Sequence, residues 1–198
     1  MSVYSNIKQI LLRILPKAVL FRCEPLLRFI YYLGFMGNTY QCRVCGKTLR
    51  AFVKAGNERI CPRCGSLPRT RRLWQILETG FLHESTQILH FSPSRSIYRL
   101  FKRSSFNYIS SDLSGDFLAD AAYDITQIDA PAESFDGIIC YHILEHITDD
   151  RKAMQEMHRV LKPGGFAIIQ TPFKAGTIYE DKRINTPSAR EIHFGQDD

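Results

Sequence analysis

Residues 135–172 read FDGIICYHILEHITDDRKAMQEMHRVLKPGGFAIIQTP, and this stretch decides the fold. Phe135 to Tyr141 is a short apolar run, long enough for one buried strand. Thr148-Asp149-Asp150 then offers N-cap side chains. From Arg151 to Lys162 the apolar residues Ala153, Met154, Met157, Val160 and Leu161 recur every three or four positions, predicting one face of a helix. Pro163-Gly164-Gly165 stops that helix, and Phe166 to Gln170 forms a second strand. Strand, helix and strand in so short a span predict a βαβ unit with parallel neighbouring strands.

Composition bounds the rest. The 198 residues are 44% hydrophobic and 23% charged, which suits one α/β domain plus a small module. Charge is uneven: residues 1–72 hold 14 Lys and Arg against 2 Asp and Glu, residues 73–198 hold 12 against 18. A basic head on an acidic body suggests an anionic partner such as RNA, through residues 43–72, or lipid headgroups; a solvated basic surface explains it equally. The first 33 residues lack an export signal, and no apolar run is long enough to span a bilayer. The expected setting is therefore the reducing cytoplasm.

Residues 1–37 alternate apolar clusters with Lys8, Arg13, Lys17, Arg22 and Arg28. Pro16 and Pro25 predict two or three short amphipathic helices, and Cys23 reads as a small buried apolar residue. Such helices either pack on their own domain or lie on a membrane surface, with self-packing the plainer reading.

Cys42-x-x-Cys45-Gly and Cys61-x-x-Cys64-Gly are 15 residues apart, the spacing of a closed four-thiolate zinc site. A redox pair or two disulfides explains one pair but not its duplication. Residues 39–72 are thus expected to form a zinc ribbon, with a hairpin turning near Ala55-Gly56-Asn57. Arg69, Arg71 and Arg72 follow, able either to contact phosphates or to pack along the ribbon. Leu73 starts a helix that ends near Gly80, with Trp74 as a packing anchor.

Gln87 to Phe91 and Asn107 to Asp112 read as further strands. With FDGII, LEHI and RVLKPGG in that order, residues 73–198 resemble class I S-adenosylmethionine-dependent methyltransferases of the type 11 kind. The resemblance implies a Rossmann-like α/β sheet of which five strands are present and two missing, so that the last strand is an exposed edge open to a partner or to self-pairing. The ending Arg190 to Gln196 resembles a substrate-side segment that continues further in zinc-ribbon methyltransferases, which suggests a truncated chain.

The same resemblance implies cofactor contacts at His90, Phe91, Ser92 and Pro93, at Asp112 and Leu113 (Asp112 for the ribose), at Asp124 and Ile125 (the adenine), and at Tyr141. The loop His90 to Ser96 departs from the family in having no glycine. His142, Glu145 and His146, at the carboxyl end of the fourth strand, are the candidate catalytic residues. As H-x-x-E-H they match a zinc-protease string, but lie on a strand-to-turn passage rather than a long helix. If helical they share one face, resembling the metal-binding E-x-x-E-H of some O-methyltransferases; a purely structural pair is the alternative. The implied function is methyl transfer to an O or N of a small molecule. RNA methylation through the basic head and a non-catalytic binding module are the alternatives.

Overall fold

The computed structural model of the chain describes residues 17–172, 181 and 183–194. It divides into two compact units, one of residues up to Gly80 with Ser94–Leu100, the other of Phe81–Pro93 with residues from Phe101 onward.

In the first unit, helix α1 runs unbroken from Lys17 to Leu33 with Pro25 inside it, where the sequence predicts a break. The reason is local. Pro25 has no amide hydrogen, so the Phe21 carbonyl, four residues back, loses its helical donor. Arg99 replaces it, Nη2 donating to the Phe21 oxygen at 2.8 Å. Beside it the buried Glu24 accepts from Arg28 Nε and Arg99 Nη1, each at 3.0 Å, with Arg95 at 3.3 Å. Burial pushes the Glu24 carboxyl up, but Arg28, Arg95 and Arg99 together hold it below the ordinary carboxylate value. Cys23 is exposed, not buried. Pro16 and the residues before it lie outside the described residues.

Two small antiparallel ladders follow, β1 (Tyr40–Gln41) with β2 (Thr48–Leu49) and β3 (Val53–Ala55) with β4 (Glu58–Ile60). The second is the expected hairpin, turning at Gly56 with φ +57°. Helix α2 (Pro68–Gly80) starts five residues before the predicted Leu73, with proline at its first position. It buries Thr70, Leu73, Trp74 and Leu77. Helix α3 is Arg95–Phe101.

The second unit is built on a parallel sheet of four strands: β5 (Gln87–Phe91), β6 (Asn107–Ser111), β7 (Phe135–Tyr141) and β8 (Leu161–Gln170), in the order β6-β5-β7-β8. This is the expected Rossmann-like α/β sheet. The fifth strand expected near Asp124 is reduced to one parallel bridge between Ser111 and Ala121. Short polar side chains compete with a ladder there. Asp120 Oδ2 accepts the Ser110 amide at 3.0 Å, Ser111 Oγ accepts the Tyr123 amide at 2.8 Å, and Asp124 Oδ1 accepts the Thr126 amide at 2.8 Å.

The central strand β7 is buried along most of its length, as a strand with parallel neighbours on both sides must be. Gly137 is needed within it: a Cβ there would meet Phe166 Cε1 at 2.7 Å and Ile88 Cδ1 at 2.8 Å. Asp136 fastens the strand starts, accepting the Gln87 amide at 2.8 Å and Lys162 Nζ at 2.9 Å. Helix α4 (Asp150–Val160) is capped by Asp149, which accepts the Lys152 amide at 3.0 Å. It ends two residues before the predicted Lys162, because Leu161 turns extended. Pro163-Gly164-Gly165 therefore falls inside β8 as an irregularity of register against β7, with Gly164 at φ +77°. Ala153, Met157 and Val160 of α4 pack with Leu89, Phe91, Ile138 and Cys140 of the sheet. Among the described residues β8 pairs only with β7. Helix α5 (Pro187–Phe194) is the last element described.

Candidate functional site

The four cysteines form two copies of one turn. Cys42 N donates to Lys47 O and Gly46 N to Cys42 O; Cys61 N donates to Ser66 O and Gly65 N to Cys61 O. Gly46 and Gly65 take φ +68° and +79°, which only glycine adopts without strain. Each turn aims its two sulfurs at one point, and the four lie within 4.8 Å of one another. Cys42 Sγ is 3.7 Å from Cys64 Sγ, and Cys45 Sγ is 3.8 Å from Cys61 Sγ. Four sulfurs ~2.3 Å from a tetrahedral zinc ion are ~3.8 Å apart, so the cluster is compatible with a zinc ribbon. Crowding splits the thiols: hydrogen bonds among them, from Cys45 above all, hold Cys42 far below the usual thiol value, while Cys42 raises Cys64 far above it.

Sequence reasoning missed Ser66 as a support of this cluster and left Arg71 open between phosphate contact and packing on the ribbon. Buried Ser66 places Oγ 3.2 Å from Cys64 Sγ and 3.4 Å from Cys42 Sγ. Arg71 donates to Ser66 O at 2.6 Å and Arg59 O at 3.0 Å, and stacks 4.2 Å over the Phe52 ring. Arg69 pairs with Glu58 at 3.5 Å. Of the three arginines weighed for phosphate contact, Arg71 thus fastens the ribbon. The direct repeat of C-x-x-C-G-S/K was the available signal for Ser66, which occupies the place of Lys47 in the other turn.

In the second unit, Ser92 takes φ +44°, the left-handed conformation that a glycine-rich loop would reach without a side chain. Its amide donates to Ser111 O at 2.7 Å and its hydroxyl to Asp112 Oδ1 at 2.7 Å. The other Asp112 oxygen accepts Ser114 Oγ at 2.9 Å and the amides of Asp116 and Phe117 at 3.0 and 3.2 Å. Burial pushes the Asp112 carboxyl up, but these donors outweigh it and hold it below the ordinary value. His90 is buried against Phe101 and Tyr108, with Nδ1 3.2 Å from the Tyr108 hydroxyl, and burial pushes it down to about 3, so it is neutral. Phe91, Pro93 and Ile125 are also buried, while Leu113 and Asp124 are exposed. Asp124 is held in a tight turn by Thr126.

At the carboxyl end of β7 the chain turns sharply at His142, φ +56°, into a single 3-10 turn, Leu144–His146. The expected single helical face is not formed. The turn nevertheless brings His142 Nδ1 to 3.3 Å from Glu145 Oε1. His146 is exposed and does not join them: among the described residues the four cysteines are the sole cluster of metal-ligand type. Among the described residues His142 Nε2 and Glu145 Oε2 are both buried without a hydrogen-bond partner, a costly arrangement in a folded chain. The Tyr141 ring stands edge-on to His142 at 6.3 Å. Burial, and then the charge of Glu145, pushes the neighbouring Cys140 thiol up to about 12, which makes it inert. A second support that the sequence did not disclose is Arg190 of α5, whose Nε donates to the Glu145 carbonyl at 3.1 Å and so holds the turn from behind.

Residues 94–169 match the family model described as a methyltransferase domain, Methyltransf_11. No curated protein matches the chain. Solved structures with a similar fold include the YcgJ protein of Bacillus subtilis, at 22% identity over 48% of this chain and 47% of that one, TM-score 0.40. Another is phosphoethanolamine N-methyltransferase 2 of Haemonchus contortus in complex with S-adenosyl-L-methionine, at 20% identity over 65% and 33%, TM-score 0.48. The [4+2]-cyclase SpnF is similar at 15% identity over 75% and 56%, TM-score 0.43. The chain spans about half the length of solved relatives such as YcgJ. The matched segment runs from helix α3 through β6, β7 and α4 into β8, so the family match falls on the parallel sheet and the helices beside it.

Proposed function

We propose that the chain transfers a methyl group from S-adenosylmethionine to an oxygen or nitrogen of a small molecule, with His142 as the base. One observation carries this reading: His142 Nε2 and Glu145 Oε2, buried and without a partner among the described residues, sit where ligands of open parallel sheets bind. A polar acceptor group entering there would supply the missing partners.

S-adenosylmethionine, when bound, supplies an electrophilic methyl group. The residues do the rest. Glu145 Oε1 is an acceptor, so it favours the His142 tautomer with hydrogen on Nδ1 and leaves Nε2 free to take a proton. Nε2 would then receive the proton that the acceptor's hydroxyl or amine gives up on methylation. Arg190 holds Glu145 by its carbonyl. Cofactor binding falls to the loop His90 to Pro93, to Asp112 and Leu113, to Asp124 and Ile125, and to Tyr141. Asp112 Oδ2 is filled by internal donors, so a ribose hydroxyl would take the second lone pair of Oδ1, beside the Ser92 hydroxyl. The four cysteines would hold a structural zinc ion, leaving no open position for catalysis. The domains follow as an N-terminal helix, the ribbon, and the methyltransferase domain from residue 73.

The test is transfer of a labelled methyl group to a panel of small phenols, carboxylates and amines, beside RNA. His142→Ala should lower turnover on any small acceptor about 10²- to 10⁴-fold without changing cofactor affinity. Methylation of RNA alone, or turnover indifferent to His142, would overturn the reading.

A further inference from the structure

Helix α1 is built inside out. Its polar residues Glu24 and Arg28 form an ion pair at 3.0 Å on the shielded side, and Tyr32, on the same side, is buried with its hydroxyl donating to Thr48 O at 2.7 Å. Apolar residues on the opposite side of the helix face solvent. Leu26 is 63% exposed and Ile30 57%, with Val19, Phe29 and Leu33 beside them and Met36 just beyond the helix end. At 3.6 residues per turn, Val19, Leu26, Ile30 and Leu33 fall within about 60° of one another. Self-packing, the plainer reading of the sequence, does not apply to this face: among the described residues it is uncovered.

We infer that this face of α1 docks the protein on an anionic lipid surface, lying in the headgroup region rather than crossing it. Two observations select that occupant. No helix among the described residues is long and apolar enough to span a bilayer. The apolar stripe is set in the most basic part of the chain: Arg22 lies beside it on the helix, Arg63 stacks 5.6 Å from the Phe29 ring, and Arg50 stacks 5.7 Å from the Phe35 ring. Residues 1–72 carry 14 Lys and Arg against 2 acidic residues. An apolar face flanked by cations matches the boundary between acyl chains and anionic headgroups. A second copy of the chain would bring like charge against like, and RNA has no use for exposed leucines.

The experiment is co-sedimentation of the full, zinc-loaded chain with vesicles of phosphatidylcholine and phosphatidylglycerol in equal parts, and with phosphatidylcholine alone. Binding is expected to the mixed vesicles, to weaken with added salt, and to fall about tenfold or more in Leu26→Glu/Ile30→Glu. Both positions are exposed, so zinc content and circular dichroism should stay unchanged in that variant. Absence of vesicle binding, or binding equal in the double variant, overturns the inference. So does a chain that is dimeric by light scattering and made monomeric by the double variant without binding vesicles, which assigns the face to a second copy.

Discussion

The cysteine cluster and the His142–Glu145 pair are both polar sites held by sharp turns, yet they are finished differently. Around the cysteines each sulfur has neighbours, Ser66 adds a hydroxyl, and Arg71 locks the Ser66 carbonyl. At the end of β7 two polar atoms are buried and, among the described residues, left without a partner. A closed set of ligands is what a structural ion needs; an open valence is what a reacting group needs. The contrast separates the part of the chain that is stabilised by its site from the part whose site costs stability.

The sharpest way to break this contrast is to remove the ion. Chelation, or Cys61→Ser, should unfold the first unit, since structural zinc contributes on the order of 10 kcal/mol. Thermal circular dichroism and the thiolate absorption of a cobalt-substituted sample would report it. A first unit that melts unchanged without metal would erase the difference between the two sites. At the other site the sign should reverse. Glu145→Met leaves no buried carboxyl and should keep or raise stability by up to about 1 kcal/mol, while it abolishes most turnover. A loss above about 2 kcal/mol would mean that the pair is structural.

The N-terminal helix allows a finer test. Arg99→Met should cost about 2–3 kcal/mol by stranding the Phe21 carbonyl and unbalancing Glu24. In a Pro25→Ala background part of that cost should vanish, because the restored amide serves Phe21. A double-mutant cycle with no coupling, below about 0.5 kcal/mol, would refute the role given to Arg99.

The smallest effect concerns pH. Asp112 has its carboxyl held below the ordinary value of 3.8, so its stabilisation is present above that pH and lost as pH falls through the lower folded value. Denaturant midpoints from pH 5 downward should therefore fall more steeply for the wild type than for Asp112→Asn. Parallel profiles would show that Asp112 carries no such term.

What the sequence disclosed and what it hid follow the same division. The cysteine turns, the hairpin at Gly56 and the β7-to-β8 passage are local patterns, in which spacing alone fixes geometry. Phe135 to Tyr141 is a strand with the predicted limits. Some of the misses depend on residues far apart in the chain, others on the conformation of a single residue. Pro25 breaks a helix unless a donor arrives from residue 99, and no periodicity announces it. The spacing of His142, Glu145 and His146 implied one helical face, but a single residue at positive φ rotates the first away from the third. Asp112 was legible as an acid at a strand end; its four internal donors were not. The adenine-side strand near Asp124 failed because Asp120, Asp124 and Ser111 satisfy the backbone in place of a neighbouring strand.

The central claim is that the second unit holds a working methyl-transfer site in spite of its glycine-free loop. Calorimetric titration of the zinc-loaded chain with S-adenosylmethionine tests it most directly. The account predicts saturable one-to-one binding that weakens at least about tenfold in Asp112→Asn and is unchanged in His142→Ala. No heat of binding at millimolar cofactor, from a folded and zinc-loaded sample, would contradict it.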